Sequence, residues 1–235
     1  MFCRLAGWEG SPSGRYLDVK VFLEGPFNGT DMNPSTGLGF LPLSQPYNTA
    51  PWNYTGTESV DTIPDDVVDW VLIELRDTTD ASLATGETII ARQAAFLLND
   101  GSVVDLDGSS ILAFNHSIIN SLFVVIHHRN HLAVMSANPL TELNGIYSYD
   151  FTANNSQAYG TDAQKDLGEG IYGMYGGDAN ADNTIDDFDK TVSWLNETGL
   201  SGYLSSDLNL DGQSNNIDKN EVWMLNKGKS GQVPE

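Results

Sequence analysis

Two stretches towards the C-terminal end carry the residue types and spacing of a cation site. In DANADNTIDDFD, Asp178 to Asp189, and again in DLNLDGQSNNID, Asp207 to Asp218, short oxygen-bearing side chains recur at loop positions one, three, five, nine and twelve. A twelve-residue loop wraps a hard cation with that spacing and completes the shell with a main-chain carbonyl at position seven. The first copy offers Asp178, Asn180, Asp182, Asp186 and Asp189, with the carbonyl of Thr184. The second offers Asp207, Asn209, Asp211, Asn215 and Asp218, with the carbonyl of Gln213. Oxygen-only donors predict two Ca2+ sites, since zinc favours nitrogen and sulfur. Position six must turn left-handed, which suits Gly212 and is tolerated by Asn183. Each loop alone also reads as a solvated Asx-rich turn; two independent matches favour the cation.

No second chemistry has comparable support. His127, His128 and His131 surround Arg129 and Asn130, but on an extended strand the first and last would stand about 13 Å apart, too far for one ion. They read as hydrogen-bonded structural histidines at a sheet edge. The sequence holds no G-x-S-x-G elbow, no H-E-x-x-H and no phosphate-cradling glycine loop. Most acidic clusters are absorbed by loops or turns, so a glycosidase pair is not expected, and the protein reads as noncatalytic. Phe27, Phe40, Tyr47, Trp52 and Tyr54 could stack on glycans or pin an irregular loop to a core, and the second reading is favoured. Asn28, Asn53, Asn115, Asn154 and Asn196 are N-x-S/T candidates for glycosylation.

The elements that must position the loops emerge from pattern and composition. At 235 residues with 40% hydrophobic content the chain can bury a core, while a net charge of −21 with only 11 Lys and Arg argues against nucleic acid or an anionic membrane. A lone cysteine, Cys3, excludes an internal disulfide framework. No apolar run is long enough to cross a membrane, so no membrane insertion is expected. Met1 to Arg15 lacks the basic start and apolar centre of a signal peptide. Weak all-Asp/Asn loops suit calcium-rich surroundings, so a secreted protein with a processed leader or a trimmed chain is expected.

Residues 1–16 read as a flexible tail. In LDVKVFLEG, Leu17, Val19, Val21 and Leu23 alternate with polar residues and predict a strand. Residues 25–66 are rich in Gly, Pro, Asn and Thr and irregular, apart from a short strand at 39–43. VVDWVLIELRD is apolar on both faces and predicts a central strand. Further strands end near Leu98 and Leu106 and continue through LFVVIHHRN, HLAVMS and YSYDFT, with turns between. This rhythm predicts a mainly β fold, an immunoglobulin-like β-sandwich over 17–172. Residues 154–167 look weakly helical, the boundary falls near 172, the calcium segment covers 173–228, and 229–235 form a tail.

With its paired loops, Asp at position twelve and a helix after each, the segment from about 177 to 228 resembles the type I dockerin repeat. That resemblance implies docking onto a protein partner. In this order, VKVFLEGPFN, WNYTGTESV, VVDWVLIELRD, RQAAFLLNDGSVVDLDG, HHRNHLAVMS, GDANADN and the terminal QVPE resemble the C-terminal region of large secreted surface proteins of Bacteroidota. That implies a β-domain ahead of a calcium segment at a bacterial cell surface, and no reaction.

The first strand invites a further expectation. Tethered by some forty flexible residues, it could pair in its own chain or cross to a neighbour, as in donor-strand assembly. Burying Leu17, Val19, Val21 and Leu23 yields about 6 to 12 kcal/mol, against about 4 to 15 kcal/mol of freedom lost on association. Head-to-tail donation between copies would build a fibre or pilus-like filament. The alternative is a monomeric adhesion or attachment module that docks on another surface protein or a glycan.

Overall fold

The computed structural model describes residues 14–235 and is mainly β. One sheet has five strands in the order β4 (Val103–Val104), β3 (Ile89–Leu98), β2 (Val67–Thr78), β6 (Ser121–His127) and β7 (Val134–Met135). The other has four, ordered β5 (Leu112–Phe114), β1 (Arg15–Lys20), β9 (Ile146–Asp150) and β8 (Thr141–Leu143). A separate ribbon pairs β10 (Lys165–Gly168) with β11 (Ile171–Gly173).

β2 is central, with antiparallel neighbours β3 and β6, and this explains why its apolar residues do not alternate. Val71, Ile73 and Leu75 face the four-stranded sheet and meet Leu17 and Val19 of β1 in the main core. Trp70 and Leu72 face the other way, and a register shift between Val67 and Asp69 puts Val68 on the inner face and Val67 on the outer. The outer face is covered by residues 25–66: Tyr47 is fully buried there, and Trp52 and Tyr54 pack against the same cluster.

Several local expectations are corrected. Residues 25–66 are irregular but pinned, not a free tether. Leu23 N–H meets Met32 Sδ at 3.2 Å, Met32 N–H donates to Asn99 O at 2.8 Å, and the Trp70 indole donates to Pro42 O at 2.9 Å. The strand expected at 39–43 reduces to one bridge, Ser44 to Ser59. Residues 154–167 form no helix; polar turns lead into β10. Nor do 229–235 hang loose, because Lys229 O accepts from Ile185 N–H at 2.8 Å and Val233 packs beside Phe123 and Val125. Of the expected tail at 1–16, residues 1–13 lie outside the described residues, and Arg15 and Tyr16 already belong to β1.

The first strand pairs within its own chain, antiparallel to β5 and parallel to β9. Leu17, Val19, Val21 and Leu23 are all buried. Beyond β1 the chain stays in register, Val21 N–H donating to Gly101 O at 2.9 Å and Glu24 N–H to Met174 O at 3.1 Å.

Candidate cation loops and their seat on the sheet

Within Asp178 to Asp189 the side chains turn inward because backbone N–H groups point them there. Asp178 accepts from Asp182 N–H (3.0 Å) and Asn183 N–H (3.1 Å), and Asp189 from Asn180 N–H (3.2 Å) and Asp186 N–H (2.7 Å). Asp207 to Asp218 repeats the pattern: Asp207 accepts from Asp211 N–H (3.1 Å) and Gly212 N–H (2.9 Å), Asp218 from Asn209 N–H (3.2 Å) and Asn215 N–H (2.7 Å). Asn183 and Gly212, both at position six, have φ of 71° and 84°. All ten expected side chains sit in these two loops, with Thr184 and Gln213 at position seven in each.

A helix follows each loop: π-helical turns at Asp189–Trp194 run into α1 (Leu195–Glu197), and others at Asp218–Trp223 into α2 (Met224–Asn226). The two halves clasp each other reciprocally. The Trp194 indole donates to Asn215 O (2.7 Å) and the Trp223 indole to Asp186 O (2.9 Å). Position eight of each loop pairs with the chain leaving the other helix. Ile185 bonds Gly228 and Lys229 (2.8 Å each), and Ser214 bonds Gly199 (2.8 Å) and Leu200 (3.1 Å).

The loop carboxylates are costly to bury as anions. Burial, with the neighbouring Asp189, pushes Asp178 up to about 7. Burial likewise lifts Asp207 to about 7, against the pull of Arg129 and with the push of Asp218. Asp189 rises to about 6 and Asp218 is also raised, burial leading in both. Among the described residues no group of three or more His, Cys, Asp and Glu side chains alone is placed to hold a metal ion. The donors each loop offers are mixed, carboxylate with amide and main-chain oxygen, and that chemistry suits a hard divalent cation.

The histidine stretch turns out to be the seat on which these loops rest. β6 ends at His127 and the chain reverses before β7, so His128 and His131 do not lie along one extended strand; their Nδ1 atoms are 3.0 Å apart. Both are buried, and burial, the leading cause for each, lowers their pKa and keeps them neutral. One tautomer set satisfies the chain of bonds. Gly25 N–H donates to His131 Nε2 (3.4 Å), His131 Nδ1–H to Asn130 Oδ1 (2.9 Å) and the His128 ring, and His128 Nε2–H to Asp69 Oδ2 (3.3 Å).

Asp69 is the hub. Burial alone would raise its pKa, but the Arg129 guanidinium, whose Nε lies 2.9 Å away, outweighs it with help from His128 and Tyr203 and holds the carboxyl well below the usual range. Tyr203 O–H donates to Asp69 Oδ1 at 2.7 Å, with Arg129 over its ring. Asn130, fully buried, donates to Ser205 O (3.0 Å) and Asp207 O (2.8 Å) and accepts from Gly177 N–H (3.0 Å). One turn of the β-domain therefore holds the starts of both loops. Asp69, Asn130, Asn226 and Glu24 escaped sequence reasoning; the one signal was Asp69, an acidic residue among the apolar residues that open β2.

Beside loop one lies a cleft of about 370 Å3, lined by Trp52, Glu74, Arg92, His127 and Asp182 among others. Glu74 is buried and engaged on both oxygens, by Arg76 at 2.6 Å and Arg92 at 2.7 Å, so it is not poised to exchange a proton. The five sequon asparagines, Asn28, Asn53, Asn115, Asn154 and Asn196, are all exposed.

Among the described residues no helix is long and apolar enough to cross a membrane. In comparisons with known proteins the chain matches no family model, no curated protein and no solved structure.

Proposed function

We propose that this protein is a noncatalytic, secreted attachment module: a β-domain of immunoglobulin-like sandwich type carrying a dockerin-like segment that holds two Ca2+ ions. The observation that carries this reading is the duplicated loop geometry, in which backbone N–H groups aim four buried carboxylates inward without a basic side chain bonded to any of them. Bound Ca2+ would discharge those carboxylates, with Asp178, Asn180, Asp182, Thr184, Asp186 and Asp189 holding one ion and Asp207, Asn209, Asp211, Gln213, Asn215 and Asp218 the other.

An outward apolar face supports docking on a protein partner. Phe188, Val192 and Leu195 along the first helix are 63%, 49% and 53% exposed, and Ile217, Met224 and Leu225 repeat the feature on the second. The locked state of Glu74 supports a noncatalytic role.

Calorimetric titration with Ca2+, followed by thermal unfolding, tests the reading. Two binding events are expected, and at calcium one hundred times Kd about 2.7 kcal/mol of stabilisation per site. Absence of heat and of any rise in Tm at millimolar calcium would refute it. A second reading, a fibre built by donation of the first strand between copies, draws on the parallel seating of β1 beside β9, in the interior of its sheet. It expects polymer rather than monomer by light scattering.

A further inference from the structure

Glu24 and Gly25, just beyond the first strand, rest on the approaches to both loops. Glu24 Oε1 takes Lys165 Nζ at 2.8 Å, while Oε2 accepts from Gly176 N–H at 3.1 Å and from the Asn226 amide. Asn226 is fully buried; its amide also donates to Gly176 O (2.8 Å), and its oxygen accepts from Lys165 (2.8 Å). Gly176 stands two residues before Asp178, and Asn226 closes the helix that follows loop two. Glu24 thus grips one loop's approach and the other's exit.

The next residue reaches loop two directly. A Cβ on Gly25 would fall 1.7 Å from Leu208 O, a main-chain contact only glycine allows. Leu208 follows Asp207, whose own carbonyl Asn130 holds. Ordering both loops around ions would fix Gly176 and Leu208, and so the pair of residues, Glu24 and Gly25, through which the chain leaves the first strand.

We propose that ion occupancy of the two loops latches Arg15–Glu24 in its own sheet, and that emptying them frees this strand for exchange with a second copy of the chain. The inference rests on the calcium reading above. It reconciles a strand seated in its own chain with one able to cross, since the loops decide which. Local opening of this kind leaves the opposite sheet folded.

Hydrogen exchange of the full chain in 1 mM Ca2+ and in chelator, read by mass spectrometry, tests it, with binding checked by calorimetry on the same sample. Removing calcium is expected to speed exchange across Arg15–Glu24 at least tenfold while Val67–Thr78 changes less than twofold. Asn226→Ala is expected to show the fast exchange even with ions bound; should that variant not fold, the wild-type comparison decides. Calcium binding with unchanged exchange at Arg15–Glu24 would overturn the latch and leave the calcium reading standing. Equal acceleration of both strands would overturn it too, as global unfolding. No binding at all would remove both.

Discussion

The two loop–helix halves are nearly the same object in different surroundings. Asp178 and Asp207 accept the same backbone pair, Trp194 and Trp223 make the same reciprocal bond, and position six turns left-handed in each. Loop one borders an open cleft, whereas loop two is pressed onto the β-domain. Asn130 holds its start, Ser35 Oγ donates to Leu210 O at 3.3 Å, and a Cβ on Gly212 would meet the Phe40 ring at 2.9 Å. Duplication supplies two loops of equivalent backbone geometry, and the departures from symmetry fasten one of them down.

The largest expected effect breaks that fastening. Arg129→Met leaves Asp69 as an unpaired buried charge, at a cost of about 3 to 5 kcal/mol, and is expected to weaken calcium binding at loop two more than at loop one. Thermal unfolding and calorimetry read both. The pH dependence has a definite sign. Since the fold depresses the Asp69 pKa, its contribution is present above the ordinary 3.8 and is lost as pH falls below it. The gap in Tm between wild type and Arg129→Met should therefore narrow on acidification below that point. A constant gap would show that Asp69 is not the partner that matters.

Intermediate effects sharpen the symmetry itself. Trp194→Phe and Trp223→Phe each remove one indole bond across the clasp, and each should lower stability by about 1 kcal/mol. Losses that differ severalfold in denaturant unfolding would show that the halves are not energetically alike.

A third pair of variants separates the two position-six turns, and one of its members carries the smallest effect of all. Gly212→Ala must adopt a φ of 84° against Phe40 and is expected to cost about 1 to 2 kcal/mol, while Asn183→Gly should change stability by a few tenths. Equal Tm values for the two variants would mean that Phe40 yields freely and loop two is not pressed.

The parts legible in sequence were those whose signal is local. Alternation marked β1, two-sided apolarity marked β2 as central, and the repeated spacing marked two loops of the same backbone geometry. The long segment 25–66 offered no period because its role is to lay single residues, Met32, Tyr47 and Trp52, onto a sheet made elsewhere. Reading β6 as running on through His131 missed the reversal after His127 that brings the His128 and His131 rings together. Glu24 and Asn226 are far apart in sequence and carry no motif, so nothing local joined them.

The reciprocal clasp also sets an order of events on the ribosome. Loop two is closed by Gly199 and Leu200, which precede it and have been made before it appears. Loop one is closed by Gly228 and Lys229, which follow loop two and its helix. The earlier-made loop is therefore completed later, and its maturation waits until the helix after loop two has been made.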